Sequence, residues 1–240
     1  MRGVLLLAAM VAGPAAACES TAFEGVGYTV CTAQNSADLR LFLNGPSGAY
    51  GGFSAVDDAL APQGKKLEFA MNAGMFQPDL TPVGLYVEAG HQVARIVTRD
   101  GPGNFGLLPN GVFCIGAQFS VVESRAFAKT RPKCRYASQS GPMLVLHGVE
   151  HPAFRSDSPS LHIRNGVGVS ADGGTAYFVI SDRAVNFDSF ARFFRDQLGT
   201  PDALYFDGSI SRLYAPDLGR SGAGFAIGPI VGVVVPMAGK

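Results

Sequence analysis

The sequence lacks tryptophan, has no net charge and contains few charged residues. Its 240 residues include 19 basic and 19 acidic side chains, and charged residues make up only 16%. A neutral chain has no overall positive field for nucleic acid or an anionic membrane, so we expect neither partner. Because 47% of the residues are hydrophobic, the chain can bury a large core, and intrinsic disorder is not expected.

Patterns that bind a structural metal are also missing. The four cysteines form no C-x-x-C pair. His147 and His151 are four positions apart, but Gly148 and Pro152 disfavour a helix that would bring them together. We therefore predict no metal ligands and no cofactor, while a requirement for a divalent cation is left open.

Long apolar runs are absent except at the N-terminus. Val4–Ala12 is an apolar run behind Arg2, and Ala15-Ala16-Ala17 supplies the small residues that signal peptidase needs. This order predicts a signal peptide over residues 1–17, cleaved after Ala17, and a periplasmic or secreted domain over residues 18–240.

A lipoprotein anchored through Cys18 is the second interpretation of this N-terminus. It is less favoured because Ala15 occupies a position where lipoprotein signals usually carry a larger aliphatic residue. The apolar run falls well short of the roughly 20 residues of a membrane-spanning helix, and no later run is long enough either. We therefore predict no transmembrane segment.

An even number of cysteines in an exported chain favours disulfides. Four cysteines allow three pairings, of which the most local joins Cys18 to Cys31 and Cys114 to Cys134. We predict this local pairing. The first bond would close a hairpin that turns near Glu24 and Gly25.

Short apolar or alternating runs between turn residues predict a strand-rich fold. The 31 glycines and 15 prolines are spread through the chain, as expected for many tight turns. The predicted strands are Tyr28–Cys31, Asp38–Leu43, Lys66–Met71, Val83–Glu88, Gln92–Val97, Val112–Ile115, Gln118–Val122, Met143–Leu146, His162–Ser170, Ala176–Ser181, Ala203–Phe206 and Ile230–Val235.

Helices are few, and the best defined is expected over Phe187–Leu198, with Asn186 as its cap and Gly199 at its end. Its apolar residues recur at helical spacing: Phe187, Phe190, Ala191, Phe194 and Leu198. The helix separates strands Ala176–Ser181 and Ala203–Phe206, an order that predicts a β-α-β unit with parallel neighbours. No linker, charge block or repeat divides the chain. We predict one α+β domain with a mixed or antiparallel, strand-rich core and a few packed helices.

Four polar segments lie in apolar, glycine-rich surroundings, where chemistry is expected. They are Met71–Phe76, Gln139–Val145, Arg164–Ser170 and Leu204–Ser211. Asp207 follows a buried strand and precedes a glycine turn, so it is the favoured reactive carboxylate. Arg164 and Arg183 are candidate anion-binding cations, because guanidinium matches phosphate or carboxylate geometry. For each segment a simple turn or edge role is the alternative.

Taken in order, these segments resemble the phosphodiester glycosidase family. An N-G-G-F-like motif matches Asn72–Phe76, and Q-x-G-P-x-L matches Gln139–Leu144. R-x-x-x-G matches Arg164–Gly168, and D-G-G-G-S matches Asp207–Ser211. The resemblance runs from about Leu67 to the C-terminus. It departs from the family at Ala73 and at Ser209-Ile210, where the family has glycines.

The resemblance implies hydrolysis of a sugar-1-phosphodiester at the anomeric carbon. Asp207 would then be the base or nucleophile, Arg164 would hold the phosphate, and Asn72 would support them. The remaining residues implied to contact substrate are Gly74, Phe76, Gln139, Ser140, Gly141, Arg183, Gly208 and Ser209.

Two other functions remain open. One is an envelope protein that binds a sugar phosphate or anionic glycan without turnover. The other is a serine hydrolase with Ser140 as nucleophile, which is less favoured because the segment lacks a G-x-S-x-G elbow and no histidine is obviously placed to activate it.

Overall fold

The computed structural model describes residues 16–237. Its strands are β1 (Ala16–Phe23), β2 (Val26–Gln34), β3 (Leu39–Phe42), β4 (Asn44–Gly45), β5 (Gly48–Ala49), β6 (Lys65–Asn72), β7 (Tyr86–Glu88), β8 (His91–Ala94), β9 (Gly111–Ile115), β10 (Phe119–Glu123), β11 (Tyr136–Ser140), β12 (Met143–Leu146), β13 (Val149–Glu150), β14 (Asn165–Val169), β15 (Thr175–Ser181), β16 (Asp202–Asp207), β17 (Leu213–Ala215), β18 (Arg220–Ser221) and β19 (Ile230–Pro236). Its α-helices are α1 (Phe53–Leu60), α2 (Gly103–Gly106), α3 (Ser124–Thr130) and α4 (Phe187–Arg192). Short 3₁₀ turns cover Ala61–Gln63 and Pro216–Leu218, and a π-helical turn covers Phe193–Gln197.

The strands form three main antiparallel sheets. The first has the order β1-β2-β15-β14-β16-β12-β13, the second β10-β9-β11-β7-β8 and the third β18-β17-β6-β19-β3, while β4 and β5 form a small hairpin. The prediction of one strand-rich α+β domain is confirmed. Most of the predicted strands lie in these sheets, but β11, β13, β17 and β18 were not predicted, and β1 was anticipated only as the first arm of the hairpin closed by Cys18–Cys31.

The inner faces of the three sheets meet in one core. Phe69 of the third sheet and Phe113 of the second both pack on Phe178 of the first, with ring centroids 5.6 Å apart in each case. Each outer face is covered by a helix: α4 packs on the first sheet, α3 on the second and α1 on the third. Because both faces of each sheet are covered, the central strands β9, β11 and β14 are buried at every position.

The predicted parallel pairing of strands around α4 is wrong. β15 and β16 do run in the same direction, but β14 lies between them and pairs antiparallel with both. β14 and β15 form a hairpin through the turn at residues 171–174, so β14 occupies the edge of β15 where β16 would have paired in a β-α-β unit. Whether β14 or β16 pairs with β15 depends on contacts between distant residues, which local sequence patterns do not reveal.

Both predicted disulfides are present, Cys18–Cys31 and Cys114–Cys134. The first links directly opposite residues of the β1–β2 hairpin, which turns at Glu24 and Gly25 as expected. The second ties β9 to the segment that follows α3. Structural disulfides persist in oxidising compartments, so the pairing indicates an extracytoplasmic protein.

Helix α4 begins where the sequence predicts, since Asn186 accepts a hydrogen bond from the Ser189 amide at 2.9 Å. It then widens into the π-helical turn instead of continuing as an α-helix to residue 198. The wider turn brings Phe193, which lies outside the predicted stripe, into the core beside Phe194. Phe193 stacks on Tyr28 with centroids 4.0 Å apart.

Replacing Phe190 with alanine is expected to lower the free energy of unfolding by about 3–5 kcal/mol. Phe190 is fully buried and packs edge-on against Phe194 at 5.3 Å, so its removal leaves a cavity. Urea unfolding measures the change. Phe225→Ala is the matched control, because Phe225 is 83% exposed and its loss should change little. A loss below about 1 kcal/mol at Phe190 would show that the site collapses or that the ring is not packed.

Candidate active site

Three strand ends from two sheets meet around a pair of buried asparagines. Asn72 ends β6 in the third sheet, and Asn165 begins β14 in the first. The Asn165 amide Nδ2 donates to the Asn72 carbonyl at 2.9 Å and to Asn72 Oδ1 at 3.1 Å. Asn165 also lies directly opposite Asp207, the last residue of β16. The two side chains therefore join the sheets at the point where Asp207 leaves its strand.

The same asparagines hold the segment that follows β16. Asn165 Oδ1 accepts hydrogen bonds from the Asp207 amide at 3.2 Å and from Ser211 Oγ at 3.2 Å. Asn72 Oδ1 accepts the amide of Arg212 at 2.9 Å. Sequence reasoning selected Asn72 but missed Asn165. The available signal was a buried-strand asparagine adjacent to Arg164, in a segment otherwise made of glycine and valine.

Asp207 is nearly buried, with 8% of its surface exposed. Its Oδ1 accepts the Ser209 amide at 2.9 Å, which folds the Asp207-Gly208-Ser209 turn around the carboxylate. Burial raises the pKa of Asp207, and the backbone amides of Ser209, Ile210 and Gly208 oppose that rise. A partly desolvated carboxylate with a raised pKa is suited to accept a proton or attack an electrophile.

Gly74 and Gly208 permit close approaches that no other residue allows. A Cβ at Gly208 would lie 1.8 Å from the Tyr205 hydroxyl oxygen. At Gly74, where φ is +158°, a Cβ would lie 2.9 Å from Ser138 Oγ. Both glycines are therefore required for the packing around the strand ends, whatever else they contact.

Ser138 and Ser140 of β11 link the second sheet to this cluster. Ser138 Oγ donates to the Ala73 carbonyl at 2.6 Å, and Ser140 Oγ donates to the Phe206 carbonyl at 2.8 Å. Gly141, which follows them, approaches Asn110 so closely that a Cβ would lie 2.6 Å from that side chain. All three sheets thus contribute to the same place.

The side chain of Gln139 lies on the opposite face of β11 and does not join the cluster. Its Oε1 accepts the amides of Leu85 and Val97, each at 3.0 Å, and its Nε2 donates to Ser124 Oγ at 2.7 Å. Because side chains alternate along a strand, the two serines around Gln139 face the cluster and Gln139 does not. Its expected contact with substrate is corrected to a structural role.

Arg164 is fully buried, and most of its guanidinium is already bound within the protein. Nε donates to the Val185 carbonyl at 2.8 Å, Nη2 donates to the Ser160 carbonyl at 2.9 Å, and the group stacks on Phe187 at 3.6 Å. Burial lowers the pKa of Arg164, and the neighbouring Tyr205 opposes the change. Among the described residues, only Nη1 has no hydrogen-bond partner. The guanidinium therefore cannot bind a phosphate through two nitrogens, which corrects the two-pronged clamp expected from the sequence.

The hydrogen bonds of the other two predicted residues lie outside the Asn72–Asn165–Asp207 cluster. Arg183 is exposed and donates to the Gly25 carbonyl at the β1–β2 turn, at 2.8 Å. Phe76 forms a β-bridge with Pro82 and packs beside α1. Neither contact connects these side chains to the Asn72–Asn165–Asp207 cluster.

Two further observations bear on partners. Across residues 16–237, no three His, Cys, Asp or Glu side chains are grouped so as to hold a metal ion. No helix in that same span has the length and apolar character to cross a bilayer.

Most of the chain, including the strand ends around Asp207, is similar to a known protein family. The family model described as phosphodiester glycosidase matches residues 65–227, well over half of the chain. The uncharacterized protein YigE of Escherichia coli (strain K12) is 38% identical over 167 residues, which cover 69% of this chain and 65% of YigE. The match thus spans just under two thirds of the length of that relative.

Two solved structures share the fold. The catalytic domain of zebrafish N-acetylglucosamine-1-phosphodiester alpha-N-acetylglucosaminidase, auto-inhibited by its pro-peptide, matches with a TM-score of 0.63 at 12% identity, over 93% of this chain and 84% of that one. A hypothetical protein from Synechocystis matches with a TM-score of 0.57 at 17% identity, over 91% of this chain and 61% of that one. All four sequence segments that meet at or beside Asp207 lie within the residues matched by the family model, and this chain belongs to the phosphodiester glycosidase family.

Proposed function

We propose that this protein hydrolyses a sugar-1-phosphodiester at the anomeric carbon. The observation that carries the proposal is the position of Asp207, a nearly buried carboxylate held at a strand end by Asn165 and framed by Asn72. Family membership supplies the class of substrate. The sugar and the group beyond the phosphate are left unassigned, because Ala73 and Ser209-Ile210 depart from the family motifs.

One carboxylate is enough for this reaction. Ordinary glycosidases use a second carboxyl group to protonate a poor leaving group. Here the leaving group is a phosphate monoester, which is already a stable anion. Asp207 would either remove a proton from the water that attacks C1 or attack C1 itself, and the C1–O bond to phosphate would break with its electron pair on the phosphate oxygen. In the second case a water molecule would then attack C1 of the glycosyl ester, break its bond to Asp207 and release the sugar with the carboxylate restored.

Arg164 is proposed to act on the phosphate by its field more than by direct contact. Its charge is buried, and no carboxylate pairs with it among the described residues. It lies beside Tyr205, whose hydroxyl packs against Gly208. An uncompensated charge in a low-dielectric interior favours an anion bound near the Gly208 turn.

The serine-hydrolase alternative is not favoured by the geometry. Ser140 is fully buried, and its hydroxyl donates to the Phe206 carbonyl. A nucleophilic serine needs a base in hydrogen-bond reach and an open path to substrate. We assign Ser140 a structural role at the junction of β11 and β16.

The acidic limb of the activity profile is expected to lie above the ordinary aspartate value of 3.8, because burial raises the pKa of Asp207. As the pH falls through that raised pKa, the carboxylate is protonated and the base is lost. Measuring kcat/KM across pH on a phosphodiester substrate checks this, with folding followed in parallel by circular dichroism. A limb centred at or below 3.8 would contradict the role given to Asp207.

A nitrophenyl phosphodiester of N-acetylglucosamine-1-phosphate tests the function, followed by the same ester of other sugars. Cleavage at C1 releases nitrophenyl phosphate, which becomes coloured only after a phosphatase is added. Colour without phosphatase would mean cleavage at the aryl ester and would contradict the proposal. If no sugar ester in the panel is cleaved but calorimetry shows sugar-phosphate binding that Asp207→Asn alters, the non-catalytic binding protein is the better description.

We also propose that the protein acts in the periplasm or outside the cell. Two disulfides support an oxidising compartment. Residues 1–15 of the proposed signal peptide lie outside the described residues, whereas Ala16 and Ala17 begin β1. The intact mass of the exported protein tests the proposed cleavage: the mature chain should begin at Cys18 without a lipid.

A further inference from the structure

A groove of about 710 Å³ lies on the outer face of the second sheet, beside the C-terminal end of α3. Its floor is apolar and includes Leu85, Val87, Ile96, Phe127 and Cys134, the last of these in a disulfide. The Gln139 side chain lies on this same outer face and holds the floor in place, since it binds the backbone of both Leu85 and Val97. Its size is in the range of ligand-binding clefts, and it faces away from Asp207.

The rim of the groove is positively charged. Arg95, Arg131 and Lys133 line it, and its lining includes no aspartate or glutamate from the described part of the chain. Among residues 16–237 none of these three cations makes an ion pair. Residues 125–135 contain five basic side chains and no acidic one. This charge block was not predicted, because the net charge of the whole chain conceals the local excess. The groove is therefore complementary to an anionic partner.

The groove also borders a strand edge that pairs with no further strand among residues 16–237. β8 is the last strand of its sheet, and its residues His91, Gln92 and Val93 are exposed. Gly90 and Gln92 line the groove directly. An open edge presents backbone N–H and C=O groups that an extended peptide can pair with.

We propose that this groove binds an extended acidic segment of a partner protein, which adds to β8 as a further strand. Such a segment matches all three features: its backbone pairs with the edge, its apolar side chains enter the floor and its carboxylates meet the rim. A phosphate polymer would use the cations alone. A bilayer would also engage the cations, but it has no peptide backbone to pair with the edge of β8. The proposal does not depend on the enzymatic function.

A short fluorescein-labelled peptide that alternates glutamate with valine tests the proposal by fluorescence anisotropy. Saturable binding is expected, and the double variant Arg131→Glu, Lys133→Glu should weaken it at least tenfold. Arg155→Glu is the matched control, because the Arg155 side chain is 73% exposed and not part of the groove. A peptide alternating glutamate with serine should bind more weakly, since it cannot fill the apolar floor.

Hydrogen exchange read by mass spectrometry separates the peptide from other anions. Peptide binding should slow exchange of the His91–Ala94 amides, because a new strand pairs with that edge. The proposal is overturned if the peptide does not bind, or if it binds without protecting these amides. It is equally overturned if polyphosphate or phosphatidylglycerol vesicles bind more tightly than the peptide and lose binding in the same double variant. The Arg131→Glu, Lys133→Glu protein should keep the wild-type melting temperature, which would show that the substitutions weaken binding and not folding.

Discussion

Asp207→Asn is expected to keep the fold and lower turnover of a sugar-1-phosphodiester by about 10² or more, because an amide cannot serve as the base. Asparagine retains the oxygen that accepts the Ser209 amide, so the turn after β16 should persist. Turnover is measured on the substrate that the panel identifies.

Asp172→Asn is the matched control. Asp172 also precedes a glycine and accepts a backbone amide, that of Gly174 at 2.9 Å, but it lies in the β14–β15 hairpin away from the cluster. The Asp172→Asn protein should turn over substrate at the wild-type rate.

Because the pKa of Asp207 is raised in the fold, its contribution to stability is present at low pH and lost as the pH rises through that pKa. Asp207→Asn should thus be at least as stable as the wild type at neutral pH. If the Asp207→Asn protein turns over substrate within about threefold of the wild-type rate, Asp207 is not the reacting carboxylate.

Asn165→Ala is expected to lower turnover by about 10² as well, although Asn165 is proposed to position Asp207 and not to react. Its side chain links the Asn72 carbonyl, the Asp207 amide and Ser211, and a displacement near 1 Å at a reacting group can cost about that factor. It also leaves buried polar groups without partners, which costs about 1–3 kcal/mol of stability.

Asn186→Ala separates positioning from general destabilisation. Asn186 is also largely buried, and loss of its helix cap should cost about 1 kcal/mol without affecting Asp207. We expect the folded Asn186→Ala protein to turn over substrate at the wild-type rate. The Asn165→Ala protein should lose kcat, and the acidic limb of its pH profile should shift, because the surroundings that set the pKa of Asp207 change. If both variants lose activity in proportion to their stability, Asn165 has no specific role in the site.

Local patterns predicted those parts of the fold that depend on neighbouring residues. Alternating apolar runs located most strands, and the Asn186 cap located the start of α4. The two disulfides followed from choosing the most local pairing, because each joins cysteines close in the chain, 13 and 20 positions apart. The π-helical turn at Phe193 was not predictable, since it is selected by packing of that ring on Tyr28, which is distant in sequence.

The site required information that local patterns do not contain. Asp207 could be proposed because a carboxylate at a strand end before glycine is locally unusual. Asn165 is also locally unusual in a strand of glycine and valine, but local patterns do not reveal that it bridges two sheets, since its partner Asn72 is 93 positions away. Gln139 was misassigned for a similar reason: which face of β11 points toward β16 depends on the register of three sheets.

Isotope labelling tests the central claim, cleavage at the anomeric carbon, most directly. The reaction is run in water enriched in oxygen-18, and both products are analysed by mass spectrometry. Attack at C1 places the heavy oxygen in the anomeric hydroxyl of the sugar and leaves the released phosphate monoester unlabelled. Heavy oxygen in the phosphate product, with an unlabelled sugar, would show attack at phosphorus and would contradict the account.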